Sequence, residues 1–153
     1  IDKDVLLEAR RLLRQAGKKI ILPVDVITDN PTTKRHEHMW REVKKVGSRE
    51  RIVDLGTKTC QLYASYVKKA QTIFWSGTLG LAEQSEWSHA SLALGRLVSA
   101  RAQRRAFVVV GGGDTVSFFN QHSLMIDHES LAGSAMLEFL GGQKLPGLQV
   151  LGY

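Results

Sequence analysis

Little in this sequence could cross-link the chain or anchor it in a membrane. Its 153 residues include one cysteine, Cys60, so no internal disulfide can form and a disulfide-stapled secreted scaffold is excluded. A reducing, cytoplasmic setting is the expectation. No apolar run approaches the roughly 20 residues of a bilayer-spanning helix, and no basic-then-apolar signal segment opens the chain. Internal repeats, low-complexity tracts and a second compositional regime are also absent, which leaves one domain or part of one. The chain begins Ile1-Asp2 without an initiator methionine, so a piece of a larger protein is expected. What is present is ordinary for a globular protein: 43% hydrophobic and 24% charged residues. Lys and Arg number 21 against 15 Asp and Glu, a formal charge of +6. Such a balance suits phosphorylated ligands, nucleic acid or an anionic surface without choosing among them.

Hydrophobic period predicts alternating helices and short strands. Asp4–Ala16 places Val5, Leu6, Ala9, Leu12 and Leu13 on one helical stripe, and Gly17 follows as a stop. Lys19–Val24 (KIILPV) is continuously apolar and β-branched, as in a strand covered on both faces. Thr28–Arg51 is polar and without clear period, so a loop or hairpin is expected. Further strands are predicted at Arg51–Leu55, Thr72–Trp75, Ala106–Val110 and Leu124–His128. Helices are predicted at Thr57–Ala70 with Thr57 as cap, Glu83–Arg101, Val116–His122 and Ala132–Leu140. Helical crossovers of this length imply an α/β fold of Rossmann-like, three-layer α/β/α type, with a parallel sheet between helices.

The strongest motif is AFVVVGGGDT, where a buried strand runs into Gly111-Gly112-Gly113-Asp114-Thr115 and a helix start. Ligands of open parallel sheets gather at the carboxyl ends of strands, and glycines there let backbone amides approach an anion. Asp114 would repel a bare phosphate, so its place in the loop points to Mg²⁺ bridging carboxylate and phosphates. The alternative is a tight turn with Asp114 as helix cap. Neither a GxxxxGK[ST] loop nor a closing GxGxxG glycine is present.

A second strand–loop–helix junction, Trp75-Ser76-Gly77-Thr78-Leu79-Gly80-Leu81-Ala82-Glu83, ends in a carboxylate suited to ribose hydroxyls. Alternatively, Glu83 stabilises the positive end of the helix that follows. A third, Ser130-Leu131-Ala132-Gly133-Ser134-Ala135, exposes amides at a helix start or simply packs closely, and it is not a GxSxG elbow. His36 and His38 stand two apart in a polar loop with no third ligand nearby, and read as solvated; HExxH is absent. Cys60 reads as a buried apolar residue within a helix. The basic run Lys34–Arg51 is interrupted by Glu37, Glu42 and Glu50 and has no aromatic ladder beyond Trp40, so it reads as a solvated loop rather than a nucleic-acid groove.

Taken in order, IILPVD, VDLGTKT, TIFWSGTLGLAE, FVVVGGGDT and SLAGSAMLEFLGGQKLPG resemble the C-terminal half of phosphoglycerate kinases, and the ending LPGLQVLGY resembles the bacterial form. The resemblance runs from Lys19 to the end of the chain. It implies a two-domain kinase whose C-terminal domain binds Mg-ATP or Mg-ADP, with residues 1–153 forming an incomplete version of that domain. By the resemblance, Gly111, Gly112 and Gly113 hold nucleotide phosphates, Asp114 binds Mg²⁺ and Thr115 contacts phosphate. Gly77 and Leu79 match the nucleotide pocket and Glu83 the ribose site. Ala132, Gly133 and Ser134 fall on the loop whose amides meet the transferring phosphoryl group.

The implied reaction is reversible transfer between 1,3-bisphosphoglycerate and ADP, giving 3-phosphoglycerate and ATP in glycolysis. The acid-substrate site belongs to an N-terminal domain that this chain lacks, so the chain alone is expected to be inactive. The implied parent is monomeric and needs no membrane or nucleic acid. Five departures stand out. Ser76, Thr78 and Ala82 replace the family's Asn, Pro and Phe, and Ala132 and Ser134 replace glycines. Glycine-only torsions at those two positions would cost roughly 1–2 kcal/mol each. The rival expectation is a non-catalytic, nucleotide-binding or structural relative that acts through partner contacts.

Overall fold

A computed structural model describes residues 3–31 and 38–153. Two small sheets share a layer of helices. The first is antiparallel, in the order β2-β1-β3, formed by β1 (Asp25–Asp29), β2 (Met39–Glu42) and β3 (Arg51–Leu55). The second is parallel, in the order β4-β5-β6, formed by β4 (Thr72–Ser76), β5 (Phe107–Gly111) and β6 (His128–Ser130). The helices are α1 (Lys3–Ala16), α2 (Thr57–Val67), α3 (His89–Ser99), α4 (Gly113–Gln121), α5 (Ser134–Leu140) and α6 (Pro146–Val150).

The core lies under one face of the parallel sheet. Ile73, Val108 and Val110 point to that face and meet Val98 of α3 and Val116 and Phe119 of α4, all 9% exposed or less. Alternation along the strands sends Phe74, Phe107 and Val109 to the opposite face, where Phe74 and Val109 face α5 and α6 across an apolar cleft. The two sheets are joined through α3 and the loop before it. Leu81 N–H donates to the Val53 carbonyl at 2.8 Å, and Ala90 N–H donates to the Asp54 carboxylate at 3.1 Å.

Several expectations need correction. KIILPV is not a strand: Lys19 closes a short 3₁₀ turn, residues 20–24 lie outside any ladder, with bends at Ile20 and Val24, and Ile20, Leu22 and Val24 are exposed. No described strand lies alongside to pair with this run, so the ladder begins only at Asp25. The sheet is therefore not one continuous parallel layer: β1 and β2 pair antiparallel, the hairpin alternative expected for this segment, and β3, at its predicted place, pairs antiparallel with the other side of β1. The stripe of α1 exists but buries nothing. Thr57 is the first residue of α2 rather than its cap. The cap comes from Asp25, whose carboxylate accepts the amides of Lys58 and Thr59 at 3.1 and 2.6 Å.

Glu83 does not begin a helix. Residues Ser85–Trp87 form a 3₁₀ turn and α3 starts at His89. The last predicted strand, at Leu124–His128, lies instead at His128–Ser130. Cys60 is half-buried rather than buried, and its thiol is pushed up first by burial and then by the charges of Asp54 and Asp25. His36 lies outside the described residues. His38 is exposed, 4.0 Å from Glu86 and tilted against Trp87. In the basic segment Arg41 pairs with Glu50 at 2.8 Å, Lys45 with Glu42 at 3.1 Å and Arg51 with Asp29 at 3.5 Å.

Candidate functional site

Parallel pairing brings three loops to one edge. Ser76 lies opposite Gly111, and Gly111 opposite Ser130, so all three strands end in register at the same side of the sheet. From β5 the chain passes Gly112, at φ +93°, a torsion that side-chain-bearing residues rarely adopt. Gly112 N–H donates to the Ser130 carbonyl at 2.9 Å, tying the loop after β5 to the loop after β6. The first helical bond of α4 returns from Val116 N–H to Gly112. Hence the amides of Gly113, Asp114 and Thr115 have no partner within the helix and point out of its positive end. Asp114 is exposed there, while Thr115 is buried with its hydroxyl accepting Gly77 N–H at 3.0 Å.

Gly111 plays a different part. It is buried in the last position of β5, and an added Cβ would collide with the end of the Met136 side chain. Its missing side chain lets α5 approach the sheet.

The loop after β4 is fixed from below. Gly80, at φ +68°, sits where a Cβ would lie 2.6 Å from the Val53 carbonyl and 2.7 Å from the Asp54 carboxylate. Burial pushes the Asp54 carboxyl above its ordinary range, although the amides of Ala90 and Leu55 pull it back. Leu79 N–H donates to the Ser91 hydroxyl at 2.7 Å, and the Leu79 side chain lines an apolar groove with Leu94 and Val98, away from Glu83. Glu83 instead faces Asp114 across a cleft of about 400 Å³, lined also by Thr78, Ala82, Ser117, Phe118 and Gln121. The reading of Glu83 as partner to a helix end fails, since α3 begins six residues later. Ser117 and Gln121 were not anticipated. Their spacing of three and seven from Asp114 puts them on the same helical face, a signal already present in the sequence.

The third loop departs from expectation in a useful way. Only Gly133 has a positive φ, at +54°, and no positive φ occurs at Ala132 or Ser134. The methyl and hydroxymethyl groups therefore carry no torsional penalty. Ala132 lines the apolar cleft with Phe74, Val109 and Met136, and Ser134 is the exposed first residue of α5. No group of three or more His, Cys, Asp or Glu residues able to hold a metal occurs among the described residues. Asp114 thus stands beside free helix amides, with Glu83 as the other carboxylate lining the cleft. No helix of the described residues is long and apolar enough to cross a membrane.

Comparison with known proteins decides the family. A family model for phosphoglycerate kinase matches residues 1–143. The chain belongs to the phosphoglycerate kinase family. It is 36% identical over 155 residues to the phosphoglycerate kinase of Desulfovibrio desulfuricans, a match that covers 98% of this chain and 39% of that protein. It is 32% identical to the enzyme of Chloroflexus aggregans, again over 39% of its length. Among solved structures it resembles phosphoglycerate kinase from Coxiella burnetii, with a TM-score of 0.86 and 32% identity over 98% of this chain and 39% of that one. The enzyme from Pyrococcus horikoshii gives a TM-score of 0.82 at 27% identity, over 97% of this chain and 36% of that one. This chain therefore spans about 39% of the length of the curated phosphoglycerate kinases that it matches.

Proposed function

We propose that residues 1–153 are the greater part of the C-terminal, nucleotide-binding domain of a cytoplasmic phosphoglycerate kinase and hold Mg-ADP or Mg-ATP. The reading rests above all on one juxtaposition: Glu83 and Asp114 on opposite walls of one cleft, at the edge where three strand-end loops meet. Gly112 turns the backbone into the loop, the amides of Gly113, Asp114 and Thr115 take the phosphates, and Glu83 takes the ribose hydroxyls. Gly77 shapes the wall between them. Leu79 acts from behind that wall, and Gly111 supports the loop by close packing rather than by contact. Gly133, with the amides of Ala132 and Ser134, faces the phosphoryl group in transfer.

The donor set suits Mg²⁺, which takes one or two carboxylates together with phosphate oxygens and water rather than an all-protein cage. Asp114 would hold it, and the ion when bound would draw charge from the phosphate oxygens. The protein's own contribution is positioning and fixed dipoles, since phosphoryl transfer asks for little covalent chemistry. The reaction is reversible transfer from 1,3-bisphosphoglycerate to ADP, giving 3-phosphoglycerate and ATP. The acid substrate is bound by an N-terminal domain of the complete polypeptide, and closure of the two domains brings the ligands together and excludes water.

Calorimetry on the complete polypeptide tests this. Mg-ADP binding that falls at least tenfold on Asp114→Ala supports the assignment, and absence of Mg-ADP binding by the unmodified protein overturns it.

A further inference from the structure

The segment Trp75-Ser76-Gly77-Thr78-Leu79-Gly80 has no proline, and both of its glycines adopt positive φ, +91° at Gly77 and +68° at Gly80. Local sequence does little to hold such a loop, and an unheld loop carries the entropy of many conformers. Gly80 is fixed by its contact with β3 and Asp54. Gly77 has no such packing, for nothing lies within 4 Å of the place a Cβ would take. Its peptide groups are nonetheless held at both ends. The Thr115 hydroxyl accepts Gly77 N–H at 3.0 Å, and the Trp75 indole N–H donates to the Gly77 carbonyl at 2.7 Å.

Both holding groups are themselves immobilised. Thr115 is 3% exposed, and the Trp75 ring meets fully buried Phe119 edge-on at 5.3 Å. The consequence concerns distance across the cleft. Glu83 and Thr78 belong to the loop after β4, whereas Asp114 and Ser117 belong to α4. Among the described residues, the bond from Gly77 to Thr115 joins these two walls directly.

We propose that Thr115 is a positioning residue whose hydroxyl sets the spacing between the ribose side and the phosphate side of the cleft. Its hydroxyl oxygen is engaged by the loop after β4, and its own amide is left without a helical partner to meet a phosphate. The inference rests on the nucleotide-binding reading but makes a claim of its own. A ligand that spans both walls feels the spacing, and one that touches only the loop of Gly112–Thr115 does not.

The test uses the complete polypeptide with Thr115→Val, which keeps the shape and removes the acceptor, and Thr115→Ser, which keeps it. Amide hydrogen exchange at Gly77 should quicken roughly tenfold in Thr115→Val and return toward its original rate in Thr115→Ser. Mg-ADP affinity should fall roughly five- to tenfold in Thr115→Val, while Mg-pyrophosphate affinity stays within twofold. Trp75→Phe, which retains the ring and loses the indole N–H, should also speed exchange at Gly77. It serves as the second variant if Thr115→Val fails to fold. Unchanged exchange at Gly77 in the folded variants overturns the proposal, as does an equal loss of Mg-ADP and Mg-pyrophosphate binding. Failure of the unmodified protein to bind Mg-ADP would count against the nucleotide reading alone, because the exchange measurement does not depend on it.

Discussion

An added methyl group at Gly80 would lie 2.6, 2.7 and 2.8 Å from three oxygens, those of Val53, Asp54 and Trp87, at a backbone φ of +68°. Steric overlap and torsional strain act together there, so Gly80→Ala should destabilise the fold by about 2 kcal/mol or more, read as a lower urea midpoint. The opposite holds in the third loop. Because Ala132 and Ser134 avoid positive φ, restoring glycine at either position relieves no strain. Mg-ADP affinity of Ala132→Gly and Ser134→Gly should stay within about twofold of the parent, and a tenfold gain would show that the substituted loop is impaired. The two glycine motifs placed Gly112, Gly113, Asp114 and Glu83 in loops after strands, and the parallel sheet brings those loops to one edge. The motifs did not reveal that Gly111 serves Met136, because that contact depends on how α5 folds back over the sheet.

Helix α2 owes its start to a residue far away in sequence. The Asp25 carboxylate accepts the Thr59 amide and hydroxyl, both at 2.6 Å, the Lys58 amide at 3.1 Å and the Trp40 indole at 2.6 Å. Burial would raise its pKa, but the hydrogen bonds from Thr59, Trp40 and Lys58 outweigh burial and hold the carboxyl below its ordinary value of 3.8. Removing them all with Asp25→Ala should cost about 2–4 kcal/mol near neutral pH.

The sign of the pH dependence follows from that lowered pKa. Folding favours the ionised form, so the contribution is full above the unfolded value of 3.8 and is lost as pH falls toward the folded one. The gap between parent and variant urea midpoints should therefore narrow as pH drops below about 4. Asp54, pushed upward by burial, works in the other direction: its protonation favours the fold, and that contribution fades as pH rises above 3.8. Apolar period located α2 and α3 in outline, yet it missed their caps, since Thr59 and Asp25 lie 34 residues apart.

Considered whole, the molecule leaves much apolar surface uncovered. Val5, Leu6, Leu7, Leu12 and Leu13 of α1 are 38–61% exposed, and β4 pairs with β5 on one side only. Surfaces of this kind associate. The 153-residue chain on its own should bind a hydrophobic dye and sediment as concentration-dependent oligomers. Glutamate at Leu6 and Leu13 should reduce that association and shift the thermal midpoint little, because no residue of α1 is buried. A large fall in the midpoint would show that α1 packs against the rest of the chain in solution.

By itself the sequence determined what local chemistry can express: the helical stripes, the β-branched runs of β3, β4 and β5, and the glycine loops that follow the last two. It also carried the order of motifs that marks the family. Only the tertiary structure decided that β1 takes antiparallel partners on both sides, β2 and β3, and that KIILPV stays outside any ladder. The same is true of Asp25 capping a distant helix and of Thr115 turning its hydroxyl to Gly77. The physical reason is the same in each case. Side-chain period reports which face of an element is apolar, whereas pairing, capping and loop closure are settled by hydrogen-bond partners that the chain brings together only on folding.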